Sequence, residues 1–286
     1  GLASVSLGYA DPEINAAVTD QLSRGVTLSL ANELEAEVAE RIVELVPCAE
    51  MVRFGKNGSD ATSAAIRLAR SVTGRDHVIV CGYHGWHDWY LAANLGDNRS
   101  LAGHLLPGLE PNGVPEELRG TVLPFSYNDY EGLAKLVEAN DIGVIKMEVS
   151  RNFGPENNFL EKVRELATSR GIVLIFDECT SGFRETFGGL HKLYGVEPDM
   201  AMFGKAMGNG YAITAVIGRR EVMESAQTSF ISSTFWTERI GPTAALKTLE
   251  VMERTQSWEI VTKIGRDVSA RWRSLASALR CARSFP

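Results

Sequence analysis

Residues 172–178 read IVLIFDE, and residues 199–210 read DMAMFGKAMGNG. Each stretch begins with a run of apolar residues and ends in ionisable or glycine-rich sequence. Apolar runs without alternation predict strands that are buried on both faces, as in a parallel sheet covered by helices. Ligands of such sheets bind beyond the carboxyl ends of the strands, so Asp177, Glu178 and Lys205 are candidates for a functional role.

The same alternation of apolar runs and helical patterns extends in both directions along the chain. Strands are predicted at residues 51–54, 77–81, 121–125, 142–147, 172–176, 199–203 and 212–218, and helices at residues 32–46, 59–73, 129–138, 159–170 and 240–252. Regular alternation predicts an α/β fold with a mostly parallel sheet flanked by helices. Residues 91–120, rich in Gly, Pro and Asn, predict a long loop that covers a site.

Composition excludes several classes of partner. The formal net charge of −7 over 286 residues argues against a nucleic-acid or anionic-membrane surface, which needs a basic excess. No apolar run approaches the 18 or so residues of a membrane span. The four cysteines are scattered without a CxxC pair, which is typical of reduced thiols. The sequence therefore predicts a soluble, cytoplasmic protein without a nucleic-acid or membrane partner.

A glycine-rich turn follows the predicted strand at residues 51–54. Residues 55–60 read GKNGSD and lead into the helix that begins at Ser59. Free backbone N–H groups and the helix dipole make such a position suitable for a phosphate. The alternative is an ordinary strand-to-helix turn with Ser59 as the N-cap.

The acidic pair Asp177-Glu178 and Lys205 each follow an apolar strand. Buried acids need a partner, so the pair could ligate a metal, act as a general base, bind a ligand cation or cap a helix. A lysine among small and apolar neighbours loses hydration and becomes nucleophilic toward carbonyl groups. The alternative is a solvated surface lysine at a strand end.

Taken together, the three segments meet the requirements of one cofactor. Pyridoxal 5'-phosphate needs an anion site for its phosphate, an anionic partner for its pyridinium nitrogen and an amine for its aldehyde. The turn before Ser59, the carboxylate of Asp177 and the amine of Lys205 supply these three groups.

Four stretches of the sequence resemble the class III aminotransferases of fold type I, and within them most of all the glutamate-1-semialdehyde 2,1-aminomutase group. They are residues 47–70 (PCAEMVRFGKNGSDATSAAIRLAR), 74–87 (GRDHVIVCGYHGWH), 172–184 (IVLIFDECTSGFR) and 194–219 (YGVEPDMAMFGKAMGNGYAITAVIGR). The resemblance covers about residues 7–252. It implies a fold type I, pyridoxal-phosphate-dependent transferase with a mostly parallel mixed sheet.

The resemblance also implies a domain organisation. Residues 1–28 correspond to part of an N-terminal segment, residues 29–255 to the large cofactor-binding domain, and residues 256–286 to the beginning of a C-terminal small domain. We therefore expect the chain to be truncated at both ends.

Residue roles follow from the resemblance position by position. Gly58 and Ser59 match the residues that hold the cofactor phosphate, and Tyr83 matches the aromatic residue that stacks on the pyridine ring. Asp177 matches the carboxylate on the pyridine nitrogen. Lys205 matches the lysine that forms the Schiff base and shuttles the proton.

Thr234 matches a threonine that reaches the phosphate of the neighbouring subunit. This match implies a homodimer with shared active sites, acting on a small amino donor and a carbonyl acceptor. Departures from the family pattern, such as Thr180 in place of Gln or Met and Glu148-Val149 in place of Glu-Pro, leave transaminase and aminomutase as open alternatives.

Three competing interpretations remain. His84, His87 and Asp88 could share a metal ion, but no further His or Cys cluster completes a coordination shell, so no metal site is expected. A Rossmann oxidoreductase lacks its glycine fingerprint. A catalytically inactive fold-type I fragment, serving as an interaction domain, is the main alternative; the missing termini favour it, and the intact Asp177 and Lys205 favour an enzyme.

Overall fold

The computed structural model describes residues 1–96, 100–104 and 109–278. Within these residues the chain forms a seven-stranded sheet in the order β1-β7-β6-β5-β4-β2-β3. The strands are β1 (Met51–Gly55), β2 (His77–Cys81), β3 (Val122–Pro124), β4 (Ile142–Glu148), β5 (Val173–Asp177), β6 (Met200–Phe203) and β7 (Thr214–Gly218).

The sheet is mixed but mostly parallel, as the sequence predicted. β7 runs antiparallel to both of its neighbours, β1 and β6. The other pairs are parallel. β1 therefore runs in the same direction as β6, and the carboxyl ends of β1, β2, β4, β5 and β6 meet at one edge of the sheet. The register pairs Glu148 of β4 with Asp177 of β5 at that edge.

Helices cover both faces of the sheet. They are α1 (Pro12–Ser23), α2 (Glu33–Leu45), α3 (Gly58–Thr73), α4 (Asp88–Leu91), α5 (Tyr130–Ala139), α6 (Phe159–Arg170), α7 (Arg220–Met223), α8 (Ile240–Thr255) and α9 (Ser257–Ala278). Local sequence sets their ends: the Asn32 side chain accepts a hydrogen bond from the Glu35 N–H at the start of α2, and Gly74 ends α3 in the left-handed conformation.

The inner strands of the sheet bury both of their faces, and the edge strands β1 and β3 are partly exposed. Along β5, Leu174 and Phe176 belong to the core that packs under α2, α5, α6 and α8. Val173 and Ile175 belong to the core on the opposite face, under α3, α4 and α7. Burial on both sides explains why the apolar runs of the sequence show no alternation.

The structure differs from the sequence-based expectation mainly at α1, at α9, which was also not among the predicted helices, and in one loop. Helix α1 was not predicted; its Ile14 and Val18 pack against Ala244 of α8. Residues 91–120 are not a featureless loop, because α4 and short 3₁₀ turns at Ala92–Asn94 and Glu116–Leu118 lie in or beside them. Residues 97–99 and 105–108 of that loop, and residues 279–286 of the proposed small domain, lie outside the described residues.

The division into residues 1–28, 29–255 and 256–286 stays a prediction. Among the helices of the described residues, none combines the length and the apolar character that crossing a bilayer requires.

Candidate active site

The segments that follow β1, β5 and β6 come together at the carboxyl edge of the sheet. Lys205, in the turn after β6, donates a hydrogen bond through Nζ to the Thr180 hydroxyl, 2.8 Å away, in the segment after β5. The Cys179 side chain lies between two glycines: a Cβ placed on Gly58 would be 3.9 Å from its Sγ, and one placed on Gly204 would be 3.6 Å from it. The phosphate turn, the acidic segment and the lysine segment are therefore neighbours.

Asp177 is the buried centre of a charged network. Its Oδ2 accepts hydrogen bonds from Lys146 Nζ at 2.7 Å and from His84 Nδ1 at 2.9 Å. Its Oδ1 accepts one from the Cys179 N–H at 3.2 Å. Burial by itself would raise the pKa of Asp177, but the Lys146 ammonium and the His84 ring outweigh it and hold the pKa below its ordinary value. Asp177 is therefore a carboxylate at neutral pH.

His84 is neutral at the same pH. Burial and the nearby Lys146 ammonium lower the pKa of His84 to about 4, although the hydrogen bond with Asp177 acts in the opposite direction. A neutral ring that donates through Nδ1–H carries a lone pair on Nε2. That Nε2 is buried and has no hydrogen-bond partner in the described part of the chain.

The first turn of α3 lies directly against the loop after β2. A Cβ on Gly85, whose φ is +93°, would be 2.4 Å from Ser59 Oγ and 3.2 Å from Ser59 Cα, so only glycine fits. The first N–H bonded inside α3 is that of Ala61, which donates to the Asn57 carbonyl at 3.1 Å. The Asn57 side chain does not cap the helix. The preceding N–H groups are thus the donors that an anion at this helix end would use.

Tyr83 lies in the same loop and is held from both sides. Its N–H donates to Glu148 Oε2 at 3.1 Å, and its ring packs edge-on against Tyr90 with centroids 6.1 Å apart. Glu148 also forms an ion pair with Arg151. Gly82 makes room for this carboxylate, since a Cβ there would be 2.4 Å from Glu148 Oε2.

The backbone of Lys205 is strained. Its φ is +43°, in the left-handed region that non-glycine residues rarely adopt. Such conformations cost about 1–3 kcal/mol and concentrate at functional sites. The residue in this strained conformation, Lys205, is also the one whose amine donates the hydrogen bond to Thr180.

Among the described hydrogen bonds, none joins Thr234 to this cluster. Thr234 is exposed, in a turn after Phe230 and Ile231. The carbonyls of those two residues accept hydrogen bonds from Arg67 Nη1 at 3.0 Å and Arg53 Nη2 at 2.5 Å, which fixes the segment on the outside of α3 and β1. The structure thus brings Gly58, Ser59, Tyr83, Asp177 and Lys205 to one edge and leaves Thr234 on the surface.

Sequence reasoning missed Lys146. This lysine lies within the strand that was predicted from an apolar run, and its side chain is fully buried. A lysine inside an otherwise apolar strand is itself a signal, because a buried ammonium needs a carboxylate partner. The alternative metal site at residues 84–88 gains no geometric support: His84 binds Asp177, whereas His87 Nδ1 lies 2.6 Å from the Ser63 hydroxyl.

An α/β fold with a lysine and a buried carboxylate at the ends of neighbouring strands defines a class of protein, and comparison with known proteins identifies the family within that class. Residues 1–282 match the family described as aminotransferase class-III, and the chain belongs to this family. The family and the fold type I architecture predicted from the sequence are confirmed.

Similar curated proteins carry two different activities in their names. A 3-aminobutyryl-CoA aminotransferase from Cloacimonas acidaminovorans is 40% identical over 93% of this chain and 63% of its own length. A glutamate-1-semialdehyde 2,1-aminomutase from Methanothermobacter thermautotrophicus is 38% identical over 96% of this chain and 66% of its own length. The chain therefore spans just under two thirds of each of these relatives.

Solved structures agree on the fold. The pyridoxal phosphate internal aldimine form of the FumI protein from Sphingopyxis sp. MTA144 is 28% identical with a TM-score of 0.84, covering 95% of this chain and 64% of that one. An omega-transaminase from Sphaerobacter thermophilus is 30% identical with a TM-score of 0.76, covering 88% and 60%.

Proposed function

We propose that this protein catalyses pyridoxal-phosphate-dependent transfer of an amino group between a small amino donor and a carbonyl acceptor. The observation that carries the proposal is that Asp177 ends β5 and Lys205 follows the neighbouring strand β6, with the Lys205 amine bonded to the Thr180 hydroxyl. The names of the relatives, an aminotransferase and an aminomutase, support the same chemistry and keep both variants of it open.

The donor set of the site fits pyridoxal phosphate. The uncapped first turn of α3, with Ser59 in it, suits the phosphate dianion. Asp177 is an ionised, buried acceptor for a protonated ring nitrogen. Gly58, Gly85 and Gly204 keep the backbone around these groups free of side chains that would fill the space. Tyr83, half-buried beside His84, supplies an aromatic face.

When bound, the cofactor supplies an aldehyde that joins amines and a ring that withdraws electrons from the adjoining carbon. Asp177 keeps the proton on the ring nitrogen, because its carboxylate is ionised and partly desolvated. Lys146 and His84 position that carboxylate through the hydrogen bonds to its Oδ2. Ser59 and the first N–H groups of α3 bind the phosphate, and Tyr83 orients the ring by stacking.

Lys205 has two tasks in this proposal. Its Nζ would hold the cofactor by joining its aldehyde, and while a substrate amine takes that place, the free Nζ would accept a proton from the substrate carbon that bears the amino group and later return it. Thr180 holds Nζ between these events, since its hydroxyl accepts the Lys205 hydrogen bond. Whether the amine leaves with a second carbonyl compound or returns to the same molecule decides between transaminase and aminomutase.

The test is borohydride reduction of the purified protein with added pyridoxal phosphate, followed by peptide mapping. We expect a visible absorbance band and a reduced adduct on Lys205. Lys205→Ala should remove both the adduct and turnover with a panel of amino donors. Lys192→Ala, at a lysine that binds the Leu45 and Phe187 carbonyls instead, is the matched control and should keep the adduct.

The same experiment decides against the inactive alternative. A folded protein that forms no adduct at saturating cofactor is the outcome expected of an interaction domain. An adduct on another lysine, or an active Lys205→Ala variant, would remove Lys205 from its proposed role.

A further inference from the structure

A second cluster of chemically reactive side chains lies outside the candidate active site. One potential ligand atom from each of Cys48, His191 and Glu197 lies within 4.8 Å of the other two. Cys48 precedes β1, His191 lies in the 3₁₀ turn Leu190–Leu193, and Glu197 precedes β6. The cluster therefore joins the segment before β1 to two positions of the connection between β5 and β6, which lies far along the chain.

The ring of His191 is fixed in one orientation. It is fully buried, and its Nδ1 lies 2.5 Å from Glu178 Oε1. Glu178 also accepts the N–H of Leu190 at 2.5 Å, the N–H of His191 at 3.1 Å and the Ser181 hydroxyl at 2.9 Å. A carboxylate with four donors is an acceptor only, so His191 Nδ1 is the protonated nitrogen that donates to it.

The steric surroundings lock the ring further. A Cβ on Gly189 would be 2.4 Å from His191 Cε1 and 2.5 Å from its Nδ1, so the ring occupies the space that a side chain there would need. His191 can neither tilt toward Gly189 nor give up its hydrogen bond to Glu178 without leaving that buried carboxylate short of a donor.

The other side of the ring lacks a hydrogen-bond partner. His191 Nε2 and Glu197 Oε2 are both buried atoms without a hydrogen bond in the described part of the chain, and they lie 3.6 Å apart. With the proton on Nδ1, Nε2 presents a lone pair toward a carboxylate oxygen that also presents lone pairs. Two such acceptors facing each other away from water are satisfied by a positive centre between them, which a second ring proton or a metal ion could supply.

We propose that Cys48 Sγ, His191 Nε2 and Glu197 Oε2 bind a divalent zinc ion, with water as the fourth ligand. A thiolate, an imidazole and a carboxylate are the donors zinc prefers, and the two anionic ligands balance its charge. Bond lengths of about 2.0–2.3 Å in a tetrahedron separate ligand atoms by about 3.3–3.8 Å. The 3.6 Å between His191 Nε2 and Glu197 Oε2 lies within this range. Because all three ligand atoms lie within 4.8 Å of one another, side-chain shifts of only about 1 Å would bring them to bonding distance of one ion.

The contact between Glu178 and His191 is the one that zinc sites use to orient a histidine. Metal-bound histidines commonly donate their second N–H to a carboxylate, which fixes the tautomer and makes the ligating nitrogen more basic. Binding would displace the Cys48 thiol proton into solvent, so affinity should rise with pH. Without a cation the thiol keeps its proton, because burial and then the Glu197 and Glu178 carboxylates raise the pKa of Cys48.

The site differs from the sequence-based expectation of no metal for a physical reason. Its three ligands have no characteristic spacing, since they meet only after β1 and β6 have taken their places in the sheet. A zinc ion here would cross-link the segment before β1 to the connection between β5 and β6 and, through the hydrogen bond of His191, to Glu178 next to Asp177. Its role would be to stabilise the scaffold of the candidate active site.

Cobalt(II) substitution tests the proposal with a probe that reports its own ligands. The full chain, stripped of metal with a chelator, is titrated with Co²⁺ and its absorbance recorded. We expect one ion per chain, with a thiolate-to-cobalt charge-transfer band and the intense visible bands of tetrahedral coordination, all displaced by one equivalent of Zn²⁺. Cys48→Ser should lose the charge-transfer band. Cys81→Ser, which removes a buried thiol outside the proposed site, should keep it.

Glu197→Gln gives a second test that does not depend on the thiol variant folding. Its side chain is more than a third exposed, so the fold should tolerate the change, while zinc affinity should fall by at least about 100-fold. The proposal is overturned if folded wild-type protein binds no Co²⁺, or if the charge-transfer band survives Cys48→Ser. If Glu197→Gln keeps the charge-transfer band and binds the metal with unchanged affinity, Glu197 is not a ligand and the proposed ligand set is wrong.

Discussion

At the residue scale, Lys146 explains how the Asp177 carboxylate stays ionised although it is buried. Asp177 and Lys146 are both buried and share a 2.7 Å hydrogen bond. A buried charge is strongly unfavourable unless it is paired, and removing one member of a pair leaves the other uncompensated. Lys146 thus keeps Asp177 ionised in surroundings where burial alone would favour the protonated acid.

Lys146→Met should lower the free energy of unfolding by about 3–5 kcal/mol, because Asp177 then loses its nearest cation. Replacing both partners, in Lys146→Met/Asp177→Asn, should recover most of that loss since no unpaired charge remains. Urea unfolding at neutral pH measures all three proteins, and Lys135→Met, at an exposed lysine, is the control. Equal losses in the single and double variants would contradict the pairing.

The pair also gives a pH dependence with a definite sign. The pKa of Asp177 is lowered in the folded protein, so its contribution to stability is present above the unfolded pKa of about 3.9 and lost as the pH falls below it. The wild type should therefore lose more stability than Lys146→Met between about pH 5 and pH 3. Urea unfolding across that range measures the difference.

Sequence could identify Asp177 and Lys205 but not the network around them. Both follow apolar strands, so their place at the sheet edge can be read from the pattern alone. The contact between Lys146 and Asp177 depends on the register of β4 against β5, and that of His84 on the path of the loop after β2. Neither the register nor the loop path has a local sequence signal.

At the element scale, the site depends on how closely the loop after β2 packs on the start of α3. A Cβ on Gly85 would overlap Ser59, the second residue of α3, so the loop approaches the helix end too closely for any side chain at that position. The loop carries Tyr83 and His84, so its distance from the helix sets the space between the proposed ring-stacking residue and the proposed phosphate site.

Gly85→Ala should weaken binding of pyridoxal phosphate by at least about tenfold, or 1.4 kcal/mol, because the added methyl group pushes the loop away from Ser59. Absorbance titration with the cofactor measures this. Gly96→Ala is the matched control, since a Cβ there meets nothing within 4 Å. If both variants bind the cofactor equally well, the close approach is not needed for binding.

The sequence predicted those strands and helices whose burial leaves a recognisable pattern of apolar residues. All seven predicted strands lie in the sheet, but the antiparallel direction of β7 could not be predicted, because an apolar strand has the same pattern in either direction. Helix α1 did have a signal: Asp11 caps the N–H groups of Glu13 and Ile14, and Pro12 occupies the first turn. Its apolar face is short, and it packs on α8, which follows it by more than 200 residues.

At the scale of the whole molecule, the proposed homodimer rests on the segment around Thr234. Phe230 is 89% exposed and Phe235 is 63% exposed, so two large apolar side chains flank Thr234 on the surface. Exposed apolar groups in one place are typical of an interface. A second copy of the chain is the partner that the resemblance implies, and its phosphate site is where Thr234 would then lie.

Mixing two inactive variants tests whether the site is shared. Lys205→Ala removes the Schiff-base amine, and Thr234→Glu places a carboxylate where the phosphate of the neighbouring site would bind. If Thr234 acts across the interface, a mixed dimer rebuilds one intact site from Lys205 of one chain and Thr234 of the other. Random pairing of equal amounts should restore borohydride-trapped cofactor to about one quarter of all sites, found on the Thr234→Glu chain alone. Neither homodimer should trap an appreciable amount. If the threonine served its own chain, or if the chain were a monomer, the mixture would trap no more than the separate variants, and the shared-site dimer would be wrong.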